Sequence, residues 1–242
     1  MLVAVLSDIH SNLRALDAVL GSLGTVDAVW QLGDVVGYGP EPVGVVERLR
    51  QVGAIGVKGN HDDAVCGGGS IEYFNPDAGI AVGWTRTHTD EATLAYLASL
   101  PERLAPEGTD FTLVHGSPRD PIGEYLDTTF VARENLALLE TRHCLVGHTH
   151  IPLVFRERHG NVQAMAVDPE SRLVLDKRRT FLNPGSVGQP RDGDPKASYL
   201  ILDTTAGRAT WQRVAYHIEG TQKAMLEAGL PARLARRLSS GR

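Results

Sequence analysis

Five short apolar runs in the first 150 residues each stop at Asp, His or Asn. L-V-A-V-L (2–6) meets Ser7-Asp8-Ile9-His10, and A-V-W-Q-L (28–32) meets Gly33-Asp34. A-I-G-V-K (54–58) meets Gly59-Asn60-His61-Asp62, and F-T-L-V (111–114) meets His115-Gly116. C-L-V (144–146) meets Gly147-His148-Thr149-His150. Short continuous apolar runs of this kind suit strands buried on both faces. Between the first three lie two stretches with helical spacing. Leu13, Leu16, Val19, Leu20 and Leu23 share one face, with Ser11 expected as the cap and Gly24 as the stop. Val45, Val46, Leu49 and Val52 share another over 41–52. The alternation β-α-β-α-β predicts a largely parallel sheet with right-handed crossovers. In such sheets ligands bind outside the carboxyl ends of the strands, where these polar residues fall.

Residues 62–105 are expected to be mostly helical around a Gly67–Gly69 loop. After Ile151 the texture changes. P-L-V-F-R, V-Q-A-M-A-V, L-V-L-D, T-F-L-N, S-Y-L-I-L-D and A-T-W-Q-R-V alternate with turns such as H-G-N and T-A-G-R, a hairpin pattern. From about Ile218 to Leu238 one or two helices are expected, broken at Gly229–Pro231. No repeat, low-complexity tract or linker interrupts the pattern, so one domain over 1–242 is expected.

Composition narrows the function classes. A net charge of −5 disfavours long nucleic acid held by bulk phosphate attraction. Two cysteines, Cys66 and Cys144, are too few for a disulfide framework or a CxxC zinc site, and they fit a reducing cytosol. The chain opens without a signal-peptide pattern, and no apolar run approaches the ~18 residues of a membrane span. A cytoplasmic protein without membrane association is expected. Arg233, Arg236, Arg237 and Arg242 read as a solvated helix end, favoured there by the helix dipole.

Single motifs carry unequal weight. D-x-H and H-x-H pairs arise readily by chance in a chain with nine histidines. G-N-H-D is far rarer, with roughly 0.002 expected occurrences. The ordered set D-x-H, G-D, G-N-H-D, H-G and G-H-x-H, each member abutting an apolar run, resembles the calcineurin-like metallophosphoesterase superfamily. N-P-G-S-V-G-Q-P-R-D-G-D-P (183–195) extends the likeness to small bacterial members.

The resemblance implies an α/β fold, a four-layer α/β/β/α sandwich of two mixed sheets, with the later hairpins supplying the second sheet. It also implies a dinuclear site. One metal would be held by Asp8, His10, Asp34 and His150, the other by Asp34, Asn60, His115 and His148. Asp34 would bridge, since a carboxylate has two oxygens. His148 and His150 would diverge to different metals as alternating side chains of an extended segment. Imidazole, carboxylate and amide ligands without thiolate suit first-row divalent ions; Mn²⁺ is favoured, and Fe, Zn, Co and Ni are compatible.

The implied activity is metal-dependent phosphodiester hydrolysis by a bridging hydroxide, with His61 as general acid and Asp62 as the candidate to hold its tautomer. The second motif lacks the Arg that the superfamily's protein serine/threonine phosphatases carry, which argues for a small phosphate ester rather than a phosphoprotein. Asn12, Tyr38 and Arg191 are candidate substitutes for substrate contact. Alternatives are a phosphomonoesterase or nucleotide phosphatase, and a non-catalytic scaffold like the retromer subunit of this fold. The completeness of the implied ligand set argues against the scaffold. A homo-oligomer is compatible with the sequence.

Overall fold

The computed structural model describes residues 1–69 and 74–242. The five apolar runs are strands. β1 (Leu2–Leu6), β2 (Ala28–Gln31) and β3 (Ile55–Gly56) alternate with α1 (Leu13–Ser22) and α2 (Pro42–Gln51). Then come α3 (Asn60–Cys66), α4 (Pro76–Thr87), α5 (Glu91–Ser99), β4 (Arg103–Leu104), β5 (Phe111–Val114), α6 (Thr129–Leu136) and β6 (His143–Leu145). The later pieces are β7 (Leu153–Arg158), β8 (Asn161–Met165), β9 (Arg172–Val174), β10 (Thr180–Asn183), β11 (Ala197–Asp203) and β12 (Arg208–Val214). Helices α7 (Ile218–Glu227) and α8 (Ala232–Arg237) close the chain.

The strands form two six-stranded sheets, ordered β3-β2-β1-β11-β12-β9 and β4-β5-β6-β10-β7-β8. In the first, β3, β2 and β1 run parallel and β11 joins β1 antiparallel. In the second, β5, β6 and β10 run parallel, β4 pairs antiparallel with β5, and β7 pairs antiparallel with both β10 and β8. The expectation that the later hairpins make up the second sheet therefore needs correction. They divide between the sheets, and each sheet is a parallel half completed by an antiparallel one. A hairpin pattern specifies a strand's neighbour in sequence but not which open edge it joins.

Burial defines the layers. Alternate β1 side chains point opposite ways, as strand geometry requires. Val3 and Val5 face a core between the sheets with Trp30, Leu113, Leu145 and Leu202. Ala4 and Leu6 face a second core under α1, α2 and α5, with Leu16, Val46 and Leu97. On the far side of the second sheet, Ala132 of α6 packs with Val114, Val146 and Phe181. This is the four-layer α/β/β/α arrangement.

Local expectations differ at a few points. Asn12, not Ser11, caps α1, its Oδ1 accepting from the Ala15 N–H at 3.2 Å. The helical reading of 62–105 holds for α3 to α5, but α3 already begins at Asn60, and Arg103–Leu104 pairs with β5 as a strand. Part of that stretch, 70–73, lies outside the described residues.

Candidate metal centre

The carboxyl ends of β1, β2, β5 and β6 bring six of the seven expected ligands to one rim, and the start of α3 brings the seventh, Asn60. The backbone bends sharply to do so. Asp8, His10, Asp34, His148 and His150 all adopt positive φ, between 51° and 65°. Positive φ is uncommon outside glycine, though Asp and His tolerate it better than most, and clustering of such residues marks functional sites. His148 and His150 therefore do not sit in an extended segment. Two left-handed residues flanking Thr149, rather than strand alternation, send their rings to different places.

Two groups result. Ligand atoms of Asp8, His10, Asp34 and His150 lie within 4.8 Å of one another, as do those of Asp34, His115 and His148. Asn60 Oδ1 joins the second, 3.2 Å from His115 Nε2.

The hydrogen bonds decide which atoms are left for a cation. His10 Nδ1 meets the Val36 carbonyl at 3.2 Å, His115 Nδ1 the Leu32 carbonyl at 2.8 Å, and His150 Nδ1 the Gln189 carbonyl at 2.6 Å. A carbonyl only accepts, so each Nδ1 carries a proton, and in the neutral ring it is Nε2 that presents the lone pair. Those lone pairs converge: His10 Nε2 is 3.1 Å from His150 Nε2, and His115 Nε2 is 3.0 Å from His148 Nδ1. The carboxylates are set the same way. Asp8 Oδ2 accepts from Ser7 Oγ at 2.6 Å and the His148 N–H at 3.2 Å. Its Oδ1 is buried without a hydrogen-bond donor, 3.2 Å from His150 Nε2.

Asp34 Oδ1 accepts from the His61 N–H at 2.9 Å. Its Oδ2 lies 3.5 Å from His10 Nε2 and 3.4 Å from His115 Nε2. One oxygen of Asp34, not both, thus faces the two groups. Convergent lone pairs and unshared carboxylate oxygens repel one another unless positive charge lies between them, so this donor set fits divalent cations.

Charge follows burial and neighbours. Burial opposes ionisation of Asp34, but His115, His61 and His10 outweigh it and hold the carboxyl well below its ordinary value. Burial works against a charge on His115, yet Asp34 and Asp8 overcome it and raise the ring to about 9. Burial pushes His148 down to about 3 and His10 and His150 well below the ordinary imidazole value. The centre sets one firmly ionised carboxylate and a protonated His115 beside neutral rings at His10, His148 and His150.

Above it opens a cleft of about 520 Å³, lined by Asp34, Asn60, His148 and His150 together with His61, Tyr38 and Arg191. His61 is 3% exposed, its Nδ1 buried without a partner, its ring 4.8 Å from that of His10. Gly37, at φ +92°, lies against this ring, and any Cβ there would collide with His61 Nδ1. Gly59 packs on the Asp34 backbone and carboxylate with no room for a Cβ. These close approaches explain glycine before Asn60 in G-N-H-D.

Asp62 does not hold the His61 ring, which corrects the expectation drawn from adjacency. Its oxygens accept from the Val36 and Gly59 N–H groups, both at 3.0 Å, and fasten α3 to the β2 loop. Successive residues on a helix point in different directions, so neighbours in sequence are not neighbours on a face.

Of the other candidates, Tyr38 lies 4.4 Å from the His61 ring, and Arg191 Nη2 reaches the Tyr38 hydroxyl at 3.4 Å. Asn12 is turned away from the cleft. It caps α1, donates to the Gly188 carbonyl at 2.9 Å and the Tyr216 hydroxyl at 3.2 Å, and accepts from Thr221 Oγ1 at 3.1 Å. The structure adds two aromatics that carry no sequence signal. Tyr125 stacks on His148 at 3.8 Å, and Phe74 meets His61 edge-on at 4.8 Å.

Comparison with known proteins agrees with this geometry. The model of the calcineurin-like phosphoesterase superfamily domain matches residues 1–207. An uncharacterized protein of Methanocaldococcus jannaschii is 40% identical, covering 100% of this chain and 98% of the relative. A crystal structure of a metallophosphoesterase from Sphaerobacter thermophilus is 46% identical, with a TM-score of 0.91 over 100% of this chain and 99% of that one. A hypothetical protein of Pyrococcus horikoshii shares the fold at 19% identity, with a TM-score of 0.82 over 100% and 98% of the two chains. Among the described residues no helix is long and apolar enough to cross a membrane. The motif order, the convergent imidazoles and carboxylates, and a match over most of the length lead to one assignment: this chain belongs to the calcineurin-like phosphoesterase superfamily.

Proposed function

We propose that the protein is a metal-dependent phosphodiesterase acting on a small phosphate ester in the cytoplasm, with its whole length working as one domain. The observation that carries this reading is the pair of converging donor groups sharing Asp34 Oδ2, at the floor of a cleft that His61, Tyr38 and Arg191 line. Asp8, His10, Asp34 and His150 would hold one divalent ion and Asp34, Asn60, His115 and His148 another, Mn²⁺ being favoured. Such ions polarise a phosphoryl oxygen and lower the pKa of water.

The chain supplies the rest. The main-chain carbonyls of Val36, Leu32 and Gln189 fix the imidazole tautomers. Arg191, joined to Tyr38, offers a cation to the phosphate from the cleft wall. His61 donates a proton to the leaving oxygen. Burial pushes its ring down to about 4, and a bound phosphate's negative charge opposes that shift. Tyr125 and Phe74 give the cleft apolar walls beside the phosphate position, which suits the second organic group of a diester better than the bare oxygens of a monoester.

The test is hydrolysis of bis-p-nitrophenyl phosphate beside p-nitrophenyl phosphate, by chelated and by Mn²⁺-loaded protein. Mn²⁺-dependent cleavage with the diester preferred is expected. A monoester preference would replace the phosphodiesterase reading with a phosphomonoesterase. No cleavage by metal-loaded protein would favour a scaffold.

A further inference from the structure

Beside the metal cleft lies a second cavity, of about 580 Å³, lined by Arg191, Arg233, Arg237 and Arg242. Among the described residues, Asp77 is the one acidic side chain in its lining. Arg191 and Asn75 line both cavities, so the two adjoin. Arg233, Arg236 and Arg242 are exposed, as expected of a solvated helix end, but Arg237 departs from it. Arg237 is half-buried, and the chain after α8 folds back onto it: Arg237 Nε bonds the Arg242 carbonyl.

The same turn is pinned to the loop that carries Arg191. The Gly193 N–H donates to the Gly241 carbonyl at 2.8 Å, and Gly241 packs at φ +61° against the Asp194 backbone with no room for a Cβ. Like charges are thus held together by covalent and main-chain constraints. Burial, with Arg191 and Arg233 nearby, pushes the Arg237 guanidinium below its ordinary value. Arg191 Nε is buried without a hydrogen-bond partner. Arginines gathered around one cavity repel one another unless an anion joins them, and their planar forks match phosphate oxygens.

We propose that this cavity is a second anion subsite of the candidate active site, seating a phosphate group of the substrate remote from the phosphorus under attack. The substrate class is then a phosphodiester that carries a further phosphate, such as a dinucleotide with a terminal phosphate. The substrate class rests on the phosphodiesterase reading; the anion binding does not.

The first arm is calorimetric titration of inorganic pyrophosphate into the chelator-treated full chain. Unaltered protein is expected to bind, and Arg233→Gln/Arg237→Gln to bind at least roughly ten-fold more weakly. Arg236→Gln, on the same helix but outside the cavity lining, is expected to bind like the unaltered chain. Circular dichroism checks folding. If the half-buried Arg237 does not tolerate Gln, Arg233→Gln/Arg242→Gln replaces the pair at exposed positions. No binding by unaltered protein, or an equal loss with Arg236→Gln, would overturn the subsite.

The second arm compares adenosine 3′,5′-bisphosphate with adenosine 5′-monophosphate as inhibitors of bis-p-nitrophenyl phosphate hydrolysis by Mn²⁺-loaded protein. The bisphosphate is expected to inhibit roughly ten-fold better, with the advantage lost in the double variant. Equal inhibition would overturn the substrate class. A protein that binds pyrophosphate but hydrolyses no ester would sink the phosphodiesterase reading and leave the subsite standing.

Discussion

His10 Nε2 and His150 Nε2 lie 3.1 Å apart, and the other nitrogen of each ring is committed to a main-chain carbonyl. Neither ring is able to turn away without stranding a buried donor, so the repulsion between lone pairs is built into the fold and relieved by a cation. Metal binding is therefore coupled to stability. Mn²⁺ at a hundredfold excess over its Kd is expected to raise the melting temperature of chelated protein by roughly 5–10 °C. His10→Ala should reduce that gain, as read by differential scanning calorimetry. An equal gain would mean that the stabilising ion binds elsewhere.

His61→Ala should keep the metal content of the unaltered protein, because the side chain lies outside both converging groups. Turnover should fall by roughly 10²–10⁴-fold on an alkyl ester, and by less on a p-nitrophenyl ester, whose leaving group needs little proton donation. Steady-state rates on both esters check this. Equal losses would mean that His61 acts by binding the phosphate.

Asn12→Ala should cost about 1–3 kcal/mol of stability through the lost cap and the stranded partners Gly188, Tyr216 and Thr221. Its KM should stay near that of the unaltered enzyme, since the side chain is turned from the cleft. Urea unfolding and Michaelis kinetics read the two separately, and a raised KM with unchanged stability would restore Asn12 as a substrate contact.

His143 supplies a pH test away from the cleft. Burial pushes its ring from 6.5 down to about 4; Asp110 and Asp176 oppose the shift, while Arg142 and Arg156 reinforce it. Its Nδ1 has no partner. The unfolded chain binds the proton first as pH falls, so the stability due to neutral His143 is present above pH 6.5 and is lost progressively toward pH 4. His143→Gln in metal-loaded protein should flatten that decline. An unchanged slope would show that His143 does not titrate in this window.

Much of this was legible because the first half of the chain is locally ordered. β1, α1, β2 and α2 follow one another in space as in sequence, and each ligand motif abuts the strand that carries it. What was not legible depends on long-range choices. The register of β11 against β1 joins residues about two hundred positions apart, and nothing in the S-Y-L-I-L-D pattern says that it lies antiparallel beside L-V-A-V-L rather than in the other sheet. Asp62 looked like a partner for His61 because the two are adjacent, and the helix turns them apart. Tyr125 reaches His148 from a loop without hydrophobic period. The half-burial of Arg237 was not legible because sequence does not show which loop a tail folds against.

The central claim is that the two converging groups hold two divalent ions through a shared Asp34. Metal content per chain, measured by inductively coupled plasma mass spectrometry after Mn²⁺ loading and desalting, tests it most directly. The account predicts two ions in the unaltered protein and at most one in Asp34→Asn, which keeps the shape of the side chain and removes its charge. One ion or none in the unaltered protein, or two retained by Asp34→Asn, would contradict it.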